Sequence, residues 1–222
     1  MSHIQIAIDG PSGAGKSSLS KAVAKAMGII SVDTGALYRT VGYFARSKGI
    51  TLDNISALVP HIGEINIEVR YENEVQCVYL NGENLGDRIR ENEISMYASK
   101  VSAIPEVRAF LLDTQKDIAR KNSVIMDGRD IGTVILPDAD VKIFLTASNE
   151  VRARRRVKEL EEKGMPASYE EVLSDMIKRD EQDRSRDIAP AIAAPDAIHF
   201  DNSYEGFDEA LEALLTVIRN AL

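Results

Sequence analysis

The chain has 222 residues, 44% of them hydrophobic, and 27 Lys and Arg against 35 Asp and Glu give a net charge of −8 at pH 7. That length suits one domain carrying inserted lobes, and the apolar share excludes a disordered chain. The acid excess argues against a nucleic-acid partner, which needs clustered cations, and one cysteine (Cys77) with three scattered histidines (His3, His61, His199) builds neither a disulfide framework nor a His/Cys metal site.

In chain order, IQIAID (4–9) reads as a short buried strand. Apolar residues at Leu19, Val23, Ala26 and Met27 predict a helix over 16–27, with Gly28 as its C-terminal cap. IISVD (29–33) is expected as a second strand, and 34–49 as a helix closed by Gly49. Strand, loop, helix, strand implies a parallel sheet. The pattern then changes: residues 64–85 alternate at Ile65, Ile67 and Val69, then at Val75, Cys77 and Tyr79. Turns are expected at Asn73-Glu74 and at Asn81-Gly82, giving a small antiparallel insert. Helix returns over 91–121 with an interruption at Pro105. SVIMD (123–127), VKIFL (141–145) and AIHFD (197–201) complete a five-stranded core. Residues 149–186 are charged and helical, with a break at Gly164-Met165-Pro166. Asn202 and Glu205 suit a capping box before a final helix carrying Leu211, Leu214, Leu215 and Ile218.

No run of 18 apolar residues occurs, and the N-terminus lacks a basic flank followed by a long apolar core. Neither a membrane span nor a signal peptide is expected, and a reducing, cytoplasmic setting follows. Seven of the 16 arginines (Arg152, Arg154, Arg155, Arg156, Arg179, Arg184, Arg186) fall between 152 and 186. Local cations in an acidic protein point to a small anionic ligand.

Residues 10–17, Gly10-Pro11-Ser12-Gly13-Ala14-Gly15-Lys16-Ser17, match G-x-x-x-x-G-K-[ST] in full, between a strand and a helix. Glycines let backbone N–H groups converge on an anion, and the helix start adds unpaired N–H groups and a positive dipole end. Lys16 can reach the β- and γ-phosphates, and the Ser17 hydroxyl can ligate Mg²⁺. Asp127, ending the third core strand, is a second candidate for Mg²⁺, directly or through water. The loop alone specifies only a nucleoside triphosphate, and the chain contains neither the N-K-x-D nor the D-x-x-G segment of a Ras-type GTPase.

Arg39, Arg129 and Asp130 follow strand ends, at the carboxyl edge where open α/β sheets bind ligands. Arg179, Asp183 and Arg186, at i, i+4 and i+7, are expected on one helical face. A second anion site beside the first implies phosphoryl transfer, and a phosphate acceptor needs no general base. Two lobes closing over both ligands would exclude water. Another acceptor (UMP, AMP or a small metabolite) and a non-catalytic nucleotide-binding regulator stay open at this level.

IAIDGPSGAGKSS, DTGALYR, ASKVSAIPEVR, MDGRDIGT and KRDEQDRSRDIAP, in this order over about 190 residues, resemble the bacterial cytidylate kinases of the nucleoside monophosphate kinase group. The resemblance implies a five-stranded parallel P-loop kinase core with helices on both faces, formed by 1–59, 96–148 and 188–222. It also implies an acceptor-nucleotide insert at 60–95 and a helical lid at 149–187, in one domain spanning 1–222. The implied activity is transfer of the γ-phosphoryl group of ATP to CMP or dCMP, with Mg²⁺, in a monomer with no nucleic-acid or membrane partner. Gly10 to Ser18, with Arg154 and Arg155, would serve ATP. Arg39, Arg129 and Arg186 would hold the acceptor's phosphate, Arg179 and Asp183 its sugar, and Ser99, Arg108 and Asp130 cytosine, with Asp33, Thr34 and Tyr38 also binding CMP. Lys16, Arg129 and Arg186 would carry catalysis. Thr34 stands where a serine would serve equally.

Overall fold

The computed structural model describes residues 3–72, 75–162, 164–165, 167–203 and 206–222. A five-stranded parallel sheet is formed by β1 (Gln5–Asp9), β2 (Ile30–Asp33), β6 (Val124–Gly128), β7 (Val141–Thr146) and β8 (Ile198–Asp201), in the order β2-β6-β1-β7-β8. β1 is its centre, pairing with β6 from Gln5↔Val124 to Asp9↔Gly128 and with β7 from Ile6↔Val141 to Asp9↔Phe144. The near-continuous apolar runs of these strands suit burial on both faces. The chain leaves β1 toward one side of the sheet and later adds β7 and β8 on the other. The end of β1 is therefore the switch point, where open sheets bind ligands.

Two contact-defined units divide the chain, residues 1–31 with 122–222 and residues 32–121. In the first unit, α1 (Lys16–Met27) and α7 (Phe207–Ala221) cover the sheet with a core that includes Ile6, Ile8, Leu19, Val23, Ile143, Leu214 and Ile218. Helices α5 (Asn149–Glu162) and α6 (Tyr169–Arg184) pack on each other through Ala153, Leu160, Val172 and Met176. α1 has the bounds read from periodicity, and Gly28 caps it with φ 66°.

The second unit holds α2 (Thr34–Ser47), a 3₁₀ segment (Leu52–Glu64), β3 (Ile67–Glu72), β4 (Val75–Leu80), β5 (Glu83–Asn84), α3 (Asn92–Val101) and α4 (Pro105–Lys121). It contains the whole expected insert, 60–95, together with the helices on either side of it. The antiparallel alternation is realised: β3 pairs with β4 and β4 with β5. Asn81 and Gly82 take φ of 50° and 86°, which a two-residue hairpin turn between Leu80 and Glu83 requires. Pro105 opens α4, where its missing N–H costs nothing. At Gly42 a Cβ would lie 2.9 Å from Tyr97 Cβ and 3.0 Å from the Ala98 nitrogen. Only glycine allows α2 to approach α3 this closely.

Two local expectations are corrected, and parts of others fall outside the description. α7 starts at Phe207, and the Glu209 carboxylate accepts the Gly206 N–H at 2.7 Å, so Asn202 is not its cap. α6 ends at Arg184, so Arg186 lies beyond the helix instead of on its face; its Nε donates to the Asp183 carbonyl at 3.2 Å. Asn73-Glu74, Pro166 and Glu205 lie outside the described residues.

Candidate functional site

In the first unit the site is built on strand ends. Gly10, after β1, has φ 146°, and a Cβ there would sit 1.9 Å from the Leu145 carbonyl oxygen. No side chain fits between this loop and β7. Gly13 and Gly15 also have positive φ, 74° and 100°, so the loop turns back on itself and enters α1 at Lys16. Among the first residues of α1, Lys16 is buried, and its Nζ donates to the Pro11 carbonyl at 2.7 Å. Burial, followed by the nearby Arg129 charge, holds its ammonium well below the usual lysine range. A phosphate arriving at the loop would add to the counter-charge that Asp127 and Asp9 already supply.

Ser17 Oγ donates to Asp127 Oδ2 at 2.6 Å. One helix start and one strand end thus bring a hydroxyl and a carboxylate together. Both are hard oxygen donors of the kind that Mg²⁺ takes from a protein when substrate phosphates complete its shell. Among the described residues no group of three or more His, Cys, Asp or Glu could hold a metal unaided.

The loop is also held from behind. The buried Asn202, at the end of β8, donates its Nδ2 to the Ala14 carbonyl at 2.9 Å. Arg155 Nη2 donates to the Asn202 carbonyl at 2.8 Å, and its Nη1 reaches Ala14 O at 3.4 Å. Arg152 Nη1 donates to Ser12 O at 2.7 Å and lies 2.6 Å from Asp180 Oδ2, while Asp180 Oδ1 accepts the Ser12 N–H at 3.2 Å. Helices α5 and α6 therefore hold both backbone groups of one loop residue, the N–H and the carbonyl of Ser12. Arg154 is exposed.

Asp183 gathers two arginines: Arg129 Nε donates to its Oδ2 at 3.0 Å, and Arg186 Nη1 lies 4.0 Å from its Oδ1. All three side chains are less than one-fifth exposed, so two cations stand around one carboxylate with a net positive charge. Asp130 is buried in the turn after Arg129.

Arg179 lies on α6 of the first unit, and the second unit holds Asp33, Thr34, Tyr38, Arg39, Ser99 and Arg108. Asp33 caps α2 by accepting the Ala36 N–H at 3.0 Å and pairs with Arg39 Nη2 at 2.7 Å. Thr34 and Tyr38 are buried on the same helix. Arg108 is also buried, its Nη1 donating to the Ser102 carbonyl at 3.2 Å and its guanidinium lying 5.7 Å from the Tyr38 ring centre. Ser99 is half-buried, and its carbonyl accepts the Ser102 hydroxyl at 2.8 Å. Without the resemblance, Arg108 reads as a helix-surface arginine; the structure buries it.

Sequence reasoning missed Asp9, Arg152, Asp180, Asn202 in its clamping role, and Gln76. Asp9 had a signal, an acid standing directly before Gly10, and Arg152 belonged to the noted arginine run. Gln76 had none: its amide accepts the Asp33 N–H at 2.8 Å and donates to the Asp33 carbonyl at 3.2 Å, both backbone partners.

A family model described as cytidylate kinase matches residues 6–220. The chain is 47% identical to a cytidylate kinase of Fervidobacterium nodosum over 217 residues, 98% of this chain and 97% of that one. It is 44% identical to a cytidylate kinase of Flavobacterium johnsoniae, with 100% and 99% covered. Among solved structures, an uncharacterized protein from Eubacterium ventriosum gives a TM-score of 0.54 at 15% identity, covering 98% of this chain and 99% of its own, a likeness of fold alone.

Proposed function

The chain belongs to the cytidylate kinase family, and on that premise we propose how its residues carry the γ-phosphoryl group of ATP to CMP or dCMP. The observation that carries the reading is the strand-end cluster in which Ser17 bonds Asp127 beside the buried Lys16. The loop N–H groups and Lys16 hold the donor phosphates. Ser17 and Asp127 would hold Mg²⁺, which would supply charge neutralisation on the donor phosphates.

On the acceptor side, Arg39, Arg129 and Arg186 hold the CMP phosphate, with Asp33, Thr34 and Tyr38 beside Arg39. Arg179 and Asp183 take the sugar. An acceptor phosphate oxygen attacks the γ-phosphorus as the bond to the β–γ bridging oxygen breaks, leaving ADP. The attacking oxygen is already ionised, so positioning and charge neutralisation do the work and no base is required. Lys16, Arg129 and Arg186 bear the charge that shifts during transfer.

Cytosine presents an amino donor beside acceptors at N3 and O2. Asp130 accepts from the amino group, and Arg108 and Ser99 donate to the acceptors. Uracil would set acceptor against acceptor and leave buried groups unpaired, which discriminates strongly. In this reading 60–95 is the acceptor insert and 149–187 the lid, whose arginines serve the donor side, and the protein works as a cytoplasmic monomer. No helix among the described residues is long and apolar enough to cross a membrane.

ADP release from ATP on addition of CMP, with and without excess EDTA, tests this reading. CMP-dependent ADP formation that EDTA stops and Mg²⁺ restores is expected. ADP formation indifferent to CMP would overturn it.

A further inference from the structure

Asp9 is the last residue of β1 and stands directly before the phosphate loop. It is only 3% exposed. Its Oδ1 accepts the Ile131 N–H at 2.8 Å, and its Oδ2 accepts the Gly132 N–H at 2.7 Å. These are the first two residues of a π-helical turn, Ile131–Ile135, that begins immediately after Asp130. The same turn closes on its own carbonyls: Val134 and Ile135 donate to Asp130 O at 2.9 and 3.3 Å, and Leu136 donates to Ile131 O at 2.7 Å. At Gly132 a Cβ would stand 3.4 Å from Asp9 Oδ2 and 3.3 Å from the Lys142 stem, so the turn is seated closely against the carboxylate.

A carboxylate is a costly way to hold a turn. Burial raises the Asp9 carboxyl to about 6, and the neighbouring Asp130 charge adds to the rise. Stability alone would favour a neutral group here, because a desolvated charge must be offset by its hydrogen bonds. What only a carboxylate of this length offers is two acceptor oxygens for two adjacent amides. An asparagine would keep one acceptor and turn an N–H donor toward the other amide.

We propose that Asp9 is a positioning residue for the acceptor base: by holding the Ile131 and Gly132 amides it fixes the backbone that carries Arg129 and Asp130, and so sets how sharply cytosine is told from uracil. The proposal rests on the reading that Asp130 contacts the base. Asp9 touches neither nucleotide in this account. It ties the turn that reads the acceptor to the strand that launches the donor loop.

The test compares kcat and KM for CMP, UMP and ATP in the wild type, Asp9→Asn, Asp130→Ala and the double variant, with thermal unfolding of each. Losing one hydrogen bond and opposing another is worth about tenfold. For Asp9→Asn, KM for CMP should rise by about that factor and the CMP-to-UMP ratio of kcat/KM should fall similarly, with KM for ATP held within about twofold. In the Asp130→Ala background, adding Asp9→Asn should lower the ratio no further, since both act through one group. Should Asp9→Asn fail to fold, Asp9→Glu keeps two acceptors on a longer stem and is expected to show a smaller fall of the same ratio. An unchanged ratio in the folded Asp9 variant, additive losses in the double variant, or KM for ATP rising as much as that for CMP would overturn the proposal. If Asp130→Ala leaves the ratio unmoved, the base-reading assignment itself fails and this inference with it. If only the Asp9 variant is silent, that assignment stands and the role of Asp9 falls.

Discussion

In the proposed reading, the phosphate loop of the first unit and the Tyr38–Ser99–Arg108 region of the second solve recognition in opposite ways. In that reading the loop binds chiefly with backbone, with Lys16 adding its charge. Its N–H groups come from consecutive residues, its geometry depends on glycines such as Gly10, and nothing in it depends on a base. The second region uses side chains drawn from α2, α3 and α4, far apart in sequence, and holds them by packing and single hydrogen bonds such as Arg108 to Ser102. On that reading a generic anion site is written in eight residues, whereas a specific base site needs side chains set by a folded lobe.

The largest test of this contrast is Lys16→Ala. Its loss should lower kcat by about 10³-fold or more for every acceptor alike, because the charge it supplies serves the transferred group. Circular dichroism should show the fold kept. A loss confined to CMP would break the distinction between the regions.

Arg108→Ala should act differently. About 100-fold lower kcat/KM is expected for CMP, with a much smaller loss for UMP and KM for ATP unmoved. Equal losses for both acceptors would return Arg108 to a structural role.

A third prediction concerns Asp9 and pH. Its folded carboxyl titrates near 6 and its unfolded one near 3.8, so between these values the folded state binds more protons. Its contribution to stability therefore falls as pH rises through this window and is recovered as pH drops toward 4. Relative to Asp9→Asn, the wild type should gain on the order of 2 kcal/mol between pH 7 and pH 4. Paired thermal melts across that range check it; parallel curves would contradict it.

The smallest effect sharpens the comparison within the second unit. Gln76→Leu removes two hydrogen bonds to the Asp33 backbone, beside the Asp33–Arg39 pair. KM for CMP should rise about fivefold, with kcat and KM for ATP unchanged. A shift in KM for ATP of equal size would show that Gln76 supports the whole protein.

The same contrast explains what was legible. The loop, α1 with its Gly28 cap, the parallel core strands and the hairpin were readable because each is encoded by local spacing and turn chemistry. Asp127 was readable as a strand-ending acid, and the structure joins it to Ser17. The roles of Ser99 and Arg108 came only from resemblance, since on a helix nothing in their spacing marks them as inward-facing. Asn202 was misread as a cap because the local pattern suited one; its amide instead serves the carbonyl of Ala14, 188 residues away. Arg186 was placed on a helix that ends two residues earlier. Gln76 and Asp9 hold backbone amides of distant segments, and a backbone partner leaves no trace in the pattern of side chains.

The central claim is that the donor loop is generic and the choice of cytosine is made elsewhere. The most direct measurement is kcat/KM for CMP, dCMP, UMP and AMP with saturating ATP and Mg²⁺. CMP and dCMP should exceed UMP and AMP by at least about 100-fold. AMP or UMP used as well as CMP would contradict the account.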